Sequence, residues 1–289
     1  MTHHDTSSIG RRGLLATFGA ATLAAASSRP AEAAAPRLPL TAQTTEGPYY
    51  LDVAQVRRDI TEGLQGVPLD VRFTVCDAAG KPLPGLRVDI WHCDAQGRYS
   101  GFPAQGDDRS GAFEGNTFLR GSQFTGRDGT AAFATVYPGW YAGRTTHIHM
   151  KVFKGTRAVL TSQFFLPDAL SEFLYTQVPL YQRSRVRDTL NSVDGIALRA
   201  GDTVLGAVRE ERQRYVATLA LVVDPAADPV VDRPPRPGGM PPPQGTQGAK
   251  GAKGAPGMPA MGVGERPVHP RALEGAARIK ALVPPRTTG

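Results

Sequence analysis

The sequence predicts a mainly β protein, an antiparallel β-sandwich with short helices. Short runs of alternating apolar and polar residues recur between Asp70 and Val223. Turn clusters separate them, such as DAAGKPLPG at 77–85 and Asp128-Gly129. Within this region helix enters only as one or two short pieces within 169–190. Evenly spaced short strands with Gly/Pro turns suit a sandwich or barrel.

The elements follow in order. Val71, Phe73 and Val75 alternate with Arg72, Thr74 and Cys76, a half-buried strand. Leu86, Val88 and Ile90 form a second, and the pair reads as a hairpin. A polar, Gly-rich stretch covers 94–116, with Tyr99 near its start. Residues 118–123 are weakly strand-like. A further strand follows Asp128-Gly129 over 130–136, because Asp-Gly favours a tight turn between strands. The next strand holds His147 and His149 and runs to Phe153. Lys154-Gly155 turns the chain into a strand over 159–165, and residues 203–223 return to strand.

Composition sets limits on function. Hydrophobic residues make up 40% of the 289, enough for a buried core. The formal net charge is +7. Residues 233–289 hold nine Lys/Arg and two Asp/Glu, which is the whole excess. The other 24 basic and 24 acidic residues balance, so no basic groove for nucleic acid is expected on the folded part.

The two ends read as something other than domain. Arg11-Arg12 precede an uncharged, Ala/Leu/Gly-rich run over 13–26, and AEAAA at 31–35 spaces small residues as A-x-A. These are the parts of an export signal, and the paired arginines resemble the twin-arginine type. The apolar run is too short and weak to anchor the chain in a membrane. From Pro225 onward Pro, Gly and small polar residues dominate, and Gly recurs every third residue over 245–257. That run is too short for a stable collagen-like helix. The expected division is a signal at 1–35, a β-sandwich domain at 36–224 and a disordered basic tail at 225–289, with a short helix at 271–282. Export to the periplasm or beyond follows.

The densest cluster of possible chemistry is TVYPGWYAGRTTHIHMKV at 135–152. Strand alternation puts His147 and His149 on one face and Ile148 and Met150 on the other. Two imidazoles side by side can share a metal. The turn before them can aim a phenol, Tyr137 or Tyr141, at the same point. Zinc sites favour Cys, His and carboxylate, and iron(II) sites of the two-His type need a carboxylate. No Asp or Glu lies between Ala131 and Asp168. Phenols with imidazoles suit Fe(III), because a trivalent cation favours the phenolate. His92 alternates to the opposite face from the pair and reads as structural. Trp91 reads as core or pocket wall. Cys76 and Cys93 are either a disulfide formed after export or two buried thiols.

Four segments carry a resemblance. EGPYY at 46–50, WHCDAQGRYSGF at 91–102, YPGWYAGRTTHIH at 137–149 and TSQFFLPD at 161–168 look like the intradiol ring-cleavage dioxygenases. The match spans about 44–197. The family opens catechols with O₂ between the two hydroxylated carbons, using non-haem Fe(III) held by two Tyr and two His. The resemblance implies Tyr99, Tyr141, His147 and His149 as iron ligands. Tyr99 follows the W-x-x-x-x-x-G-x-Y pattern, and Tyr141 follows Pro-Gly-x-Tyr. It implies that Arg144 and Gln163 stabilise charge on the bound ring, that Tyr141 yields its place to the substrate, and that its phenolate or a bound hydroxide takes a substrate proton. The partners implied are a catechol-type molecule and O₂, with a homo-oligomer compatible. Arg144-Thr145-Thr146 departs from the Arg-Pro-Ala of the soluble enzymes. The loop from Tyr141 to His147 is shorter than theirs, and exported members are closer on both points. Two rival classes are a His-x-His zinc or iron(II) enzyme and a non-catalytic exported sandwich.

Overall fold

The computed structural model describes residues 37–227 and the single helical residue Leu282. The predicted signal, and the predicted tail with its short helix apart from its first residues and Leu282, lie outside the described residues. Eight strands form two four-stranded sheets. One sheet orders β3 (Arg120–Phe124), β2 (Arg87–Trp91), β5 (His147–Lys154) and β6 (Arg157–Phe165), all antiparallel. The other orders β4 (Thr130–Val136), β1 (Pro68–Cys76), β8 (Arg214–Val222) and β7 (Ala207–Glu211). The sandwich is therefore observed, but it is not wholly antiparallel, because β1 and β8 run parallel. A parallel neighbour needs only a long connection, and ten elements separate these two in the chain.

The alternation along each strand decides which face is buried. Val71, Phe73, Val75 and Phe133 of one sheet meet Ile90, Ile148, Met150 and Phe164 of the other in a single core. Phe73 and Phe164 touch edge to face, with ring centroids 6.2 Å apart. Each such side chain stabilises the sandwich by about 1.5–3 kcal/mol when fully buried. This packing corrects the predicted β1–β2 hairpin. The two strands lie in different sheets, β1 pairing with β4 and β8, β2 with β3 and β5. Residues 77–86 carry the chain across the roughly 10 Å between sheets, so the apolar faces of both strands meet instead of lying side by side. Backbone bonds from Leu83 N to Val75 O and from Gly85 N to Thr125 O pin the crossing to both sheets. Cys76 and Cys93 are both buried free thiols.

Two helices follow β6. The first, α1 (Asp168–Gln177), begins one residue before the predicted helical stretch at 169–190 and otherwise lies in it. The second, α2 (Gly195–Ala200), was not predicted; at six residues it is too short to show a helical period. Asp194 caps it, accepting from the amides of Ile196 and Ala197 at 2.8 and 3.1 Å. The predicted strand at 203–223 begins instead as a 3-10 turn over Gly201–Val204, then forms the β7–β8 hairpin. Among the described residues no helix is long and apolar enough to cross a membrane.

Candidate metal centre

The outward face of the β3-β2-β5-β6 sheet carries the site. Pairing aligns Arg120 with Trp91, Trp91 with His149, and His149 with Gln163. One row across four strands thus holds Arg120, Trp91, His149 and Gln163 on a common face. His147, two residues before His149, extends that face at the start of β5. Segment 41–50 crosses over it, tied down by Thr44 N to Thr161 O at 2.9 Å and Gln163 Nε2 to Thr45 O at 2.9 Å. Gly47 sits against His149. A Cβ built there would lie 3.3 Å from His149 Cε1, and its φ of +72° is one that other residues rarely adopt.

Two loops bring in the phenols. Tyr99 sits past β2 and is buried, its amide held by Gln105 Oε1 at 3.0 Å. Tyr141 follows the turn after β4. The Tyr99 hydroxyl lies 3.5 Å from that of Tyr141, and the Tyr141 hydroxyl donates to His147 Nε2 at 3.0 Å. The two imidazole Nε2 atoms are 3.1 Å apart. The four predicted ligands are thus brought together. Tyr137 is not among them, because its buried hydroxyl bonds Ser171 Oγ at 2.8 Å beneath α1. His92 is also elsewhere. It bonds Cys93 O and Thr135 Oγ1, both at 2.8 Å, in the interior.

The protonation states follow from these partners. His147 Nδ1 donates to Thr145 O at 2.6 Å, so its Nε2 carries the lone pair. That single lone pair faces both a phenol and a second imidazole nitrogen. His149 Nδ1 is buried with no partner. Protein atoms alone leave this set unsatisfied. Metal–imidazole bonds of about 2.0–2.1 Å at right angles would put neighbouring ligand atoms about 3 Å apart, which is the spacing seen. The donor set fits a cation. Among the described residues no group of three or more His, Cys, Asp or Glu side chains is placed to hold a metal.

Burial dominates the electrostatics. It holds His147 down at about 3, helped by the Arg144 charge, and holds His149 well below its ordinary value, helped by His147. Both are neutral, which is the ligating form. Burial also pushes the Tyr99 and Tyr141 phenols up, so without a cation they stay protonated. Loading an ion that favours phenolate must therefore release protons.

Burial also lowers His92, to about 4. The consequence for stability has a definite sign. Each of the three imidazoles has a folded pKa below its unfolded value of about 6.5. The unfolded chain therefore binds more protons in acid, and stability falls as pH drops below about 6.5 toward 4 and 3. We expect the metal-free domain to lose roughly 1 kcal/mol per histidine between pH 6.5 and 5.5. Urea midpoints across that range check this; a flat profile would contradict it.

Arg144 stands beside the ligands on a built support. Its Nε donates to Asp194 Oδ2 at 2.9 Å and its Nη2 to Gln163 Oε1. The same Asp194 oxygen accepts Thr145 N at 2.9 Å. Burial raises the Asp194 carboxyl, but the Arg144 charge and the backbone donors outweigh it, and its pKa falls below the ordinary value. Asp194 thus joins α2, Arg144 and the start of β5 at one point. Sequence reasoning missed it; the only available signal was an Asp capping a short helix. It missed Tyr49 as well, whose ring stacks on Tyr99 at 4.3 Å. Trp91, read as a wall, stacks on His149 at 4.8 Å and 9°.

Comparison with known proteins decides the family. A dioxygenase family model matches residues 45–172, which include all six predicted site residues. Catechol 1,2-dioxygenase of Acinetobacter baylyi is 30% identical over 220 residues, 67% of each chain. The chain belongs to the intradiol ring-cleavage dioxygenase family. A catechol 1,2-dioxygenase of Acinetobacter lwoffii is 32% identical over 147 residues, and the match spans only 45% of that relative. An intradiol ring-cleavage dioxygenase structure from Tetranychus urticae superposes with a TM-score of 0.61 at 29% identity. It covers 67% of this chain and 98% of that one. Asp194 lies beyond the stretch that the family model matches.

Proposed function

We propose that the protein is an Fe(III)-dependent intradiol dioxygenase. It would cleave a catechol-type ring with O₂, incorporating both oxygen atoms, to a cis,cis-muconate-type diacid. The observation that carries this is the convergence of Tyr99, Tyr141, His147 and His149 beside a braced Arg144. Those four side chains would hold the ion, and Arg144 and Gln163 would serve the substrate. Ferric ion supplies Lewis acidity that orients and polarises a bound diol.

The chain's own residues do the rest. The Tyr141 oxygen lies 3.0 Å from His147 Nε2, and once deprotonated in the loaded site it would serve as the base for a diol proton. Arg144 is held by Asp194 and Gln163, so its charge is fixed before the ring becomes electron-rich. A preorganised cation in a water-poor site stabilises developing negative charge without reorganising. Segment 41–50 limits water at the same place.

Two measurements test the reading. Purified protein should carry about one iron per chain and a visible tyrosinate band. A panel of catechols should then show oxygen uptake with a diacid product. A colourless protein that stays inactive after ferric reconstitution would sink the proposal.

A further inference from the structure

Arg120 is an unusual residue for the interior. It is 1% exposed. Its guanidinium makes three hydrogen bonds: Nε to Ser100 Oγ at 2.8 Å, Nη2 to Ser100 O at 2.7 Å, and Nη1 to Tyr49 O at 2.5 Å. All three acceptors are neutral. No carboxylate among the described residues pairs with it. Burial accordingly lowers its pKa to about 10, with only Tyr99 opposing. Arg187, the other buried arginine among the described residues, pairs with Asp168. An isolated buried charge is costly unless something nearby compensates it.

Its surroundings show what could compensate. Ser100 follows Tyr99 directly, and Tyr49 stacks on the Tyr99 ring. One guanidinium therefore ties the backbone beside a candidate ligand to the segment that covers it. Arg120 also lies in the cross-strand row with Trp91 and His149. Two strand spacings of about 4.7–4.9 Å put its Cα roughly 9–10 Å from that of His149.

We infer that Arg120 is a positioning residue of the metal centre. It ties Ser100, the residue after Tyr99, to the Tyr49 carbonyl, and it supplies a fixed positive charge near the anionic oxygens of a loaded site. This rests on the ferric reading given above. A unit charge separated from the ion by about that same strand spacing, roughly 9 Å, would at an effective dielectric near 20 shift a one-electron equilibrium by roughly twentyfold. The fixed cation favours the reduced ion, and removing it favours the oxidised one.

The test uses the iron-loaded full chain with R120K, which keeps the charge, and R120Q and R120M, which remove it. The readout is the ferric/ferrous midpoint potential, with the tyrosinate band and thermal midpoint beside it. The midpoint potential of a neutral variant should fall by an amount equivalent to about twentyfold, or roughly 77 mV for one electron at about 59 mV per tenfold. R120K should stay near wild type. Equal potentials in wild type, Lys and a neutral variant would overturn the inference, as would equal falls in Lys and neutral variants. Failure of both neutral variants to fold would also overturn it, making the guanidinium a requirement of the fold and not of the loaded site. A wild-type protein without ferric uptake or band would instead defeat the underlying iron assignment, so the two failures are distinguishable.

Discussion

Replacing His147 or His149 by Ala is expected to abolish iron uptake and visible colour while leaving the sandwich folded. Neither imidazole holds strands together. His147 bonds its own neighbour Thr145 O, and His149 Nδ1 bonds nothing. The core that fixes β5 faces the other way, through Ile148, Met150 and Val152. Losing one imidazole removes about a quarter of the proposed ligand set and the lone pair on which Tyr141 and the other histidine converge. His92→Ala is the control. That histidine is as deeply buried but bonds Cys93 O and Thr135 Oγ1. Leaving those partners unsatisfied costs about 1–3 kcal/mol, so this variant should lose stability yet keep iron per folded chain. Metal analysis with denaturant melts separates the two patterns. Equal iron loss in the His92 and His147 variants would mean that general destabilisation, not ligation, governs uptake.

The site was largely legible in the sequence because its parts are local. His147 and His149 sit two apart on one strand, and strand period alone puts them on one face. Tyr141 and Arg144 lie within six residues of His147, and Tyr99 and Gln163 were placed by motif. What stayed hidden depends on pairing between distant strands. Nothing in Arg120, Trp91 and Gln163 as letters says that β3, β2, β5 and β6 align them with His149 in one row. The β1–β2 connection shows the same limit. Two alternating strands joined by a Gly/Pro turn look alike whether they pair or cross the core. The choice is made by the partner each apolar face finds, β4 and β8 for one and β3 and β5 for the other. Asp194 was invisible for a related reason. Its role exists only because residues 145 and 194 meet across 49 positions of sequence.

Arg144→Ala is expected to keep iron and colour and still give a spectral shift with catechol, while turnover falls by roughly two to three orders of magnitude. Arg cannot ligate a metal, since its guanidinium has no free lone pair at working pH. The variant therefore leaves all four candidate ligands in place. The alternative is that Arg144 only braces the turn into β5, so that fold and iron would be lost together. The support around it argues against that. Asp194 would keep Thr145 N, Ile196 N and Ala197 N as donors after the guanidinium is gone. Gln163 would keep its bond to Thr45 O, and Gly143 N is held separately by Asp188 Oδ1 at 2.9 Å. The turn thus has anchors that do not pass through Arg144. What the variant does lose is the one fixed cation aimed from this support toward the space beside Tyr141 and His147. Arg144→Lys sharpens the comparison. It keeps a charge but cannot reach Asp194 and Gln163 at once with planar donors, so it should recover only part of the rate. Single-turnover kinetics with iron analysis on the same samples decide between the readings. Wild-type turnover in the Ala variant would rule out both.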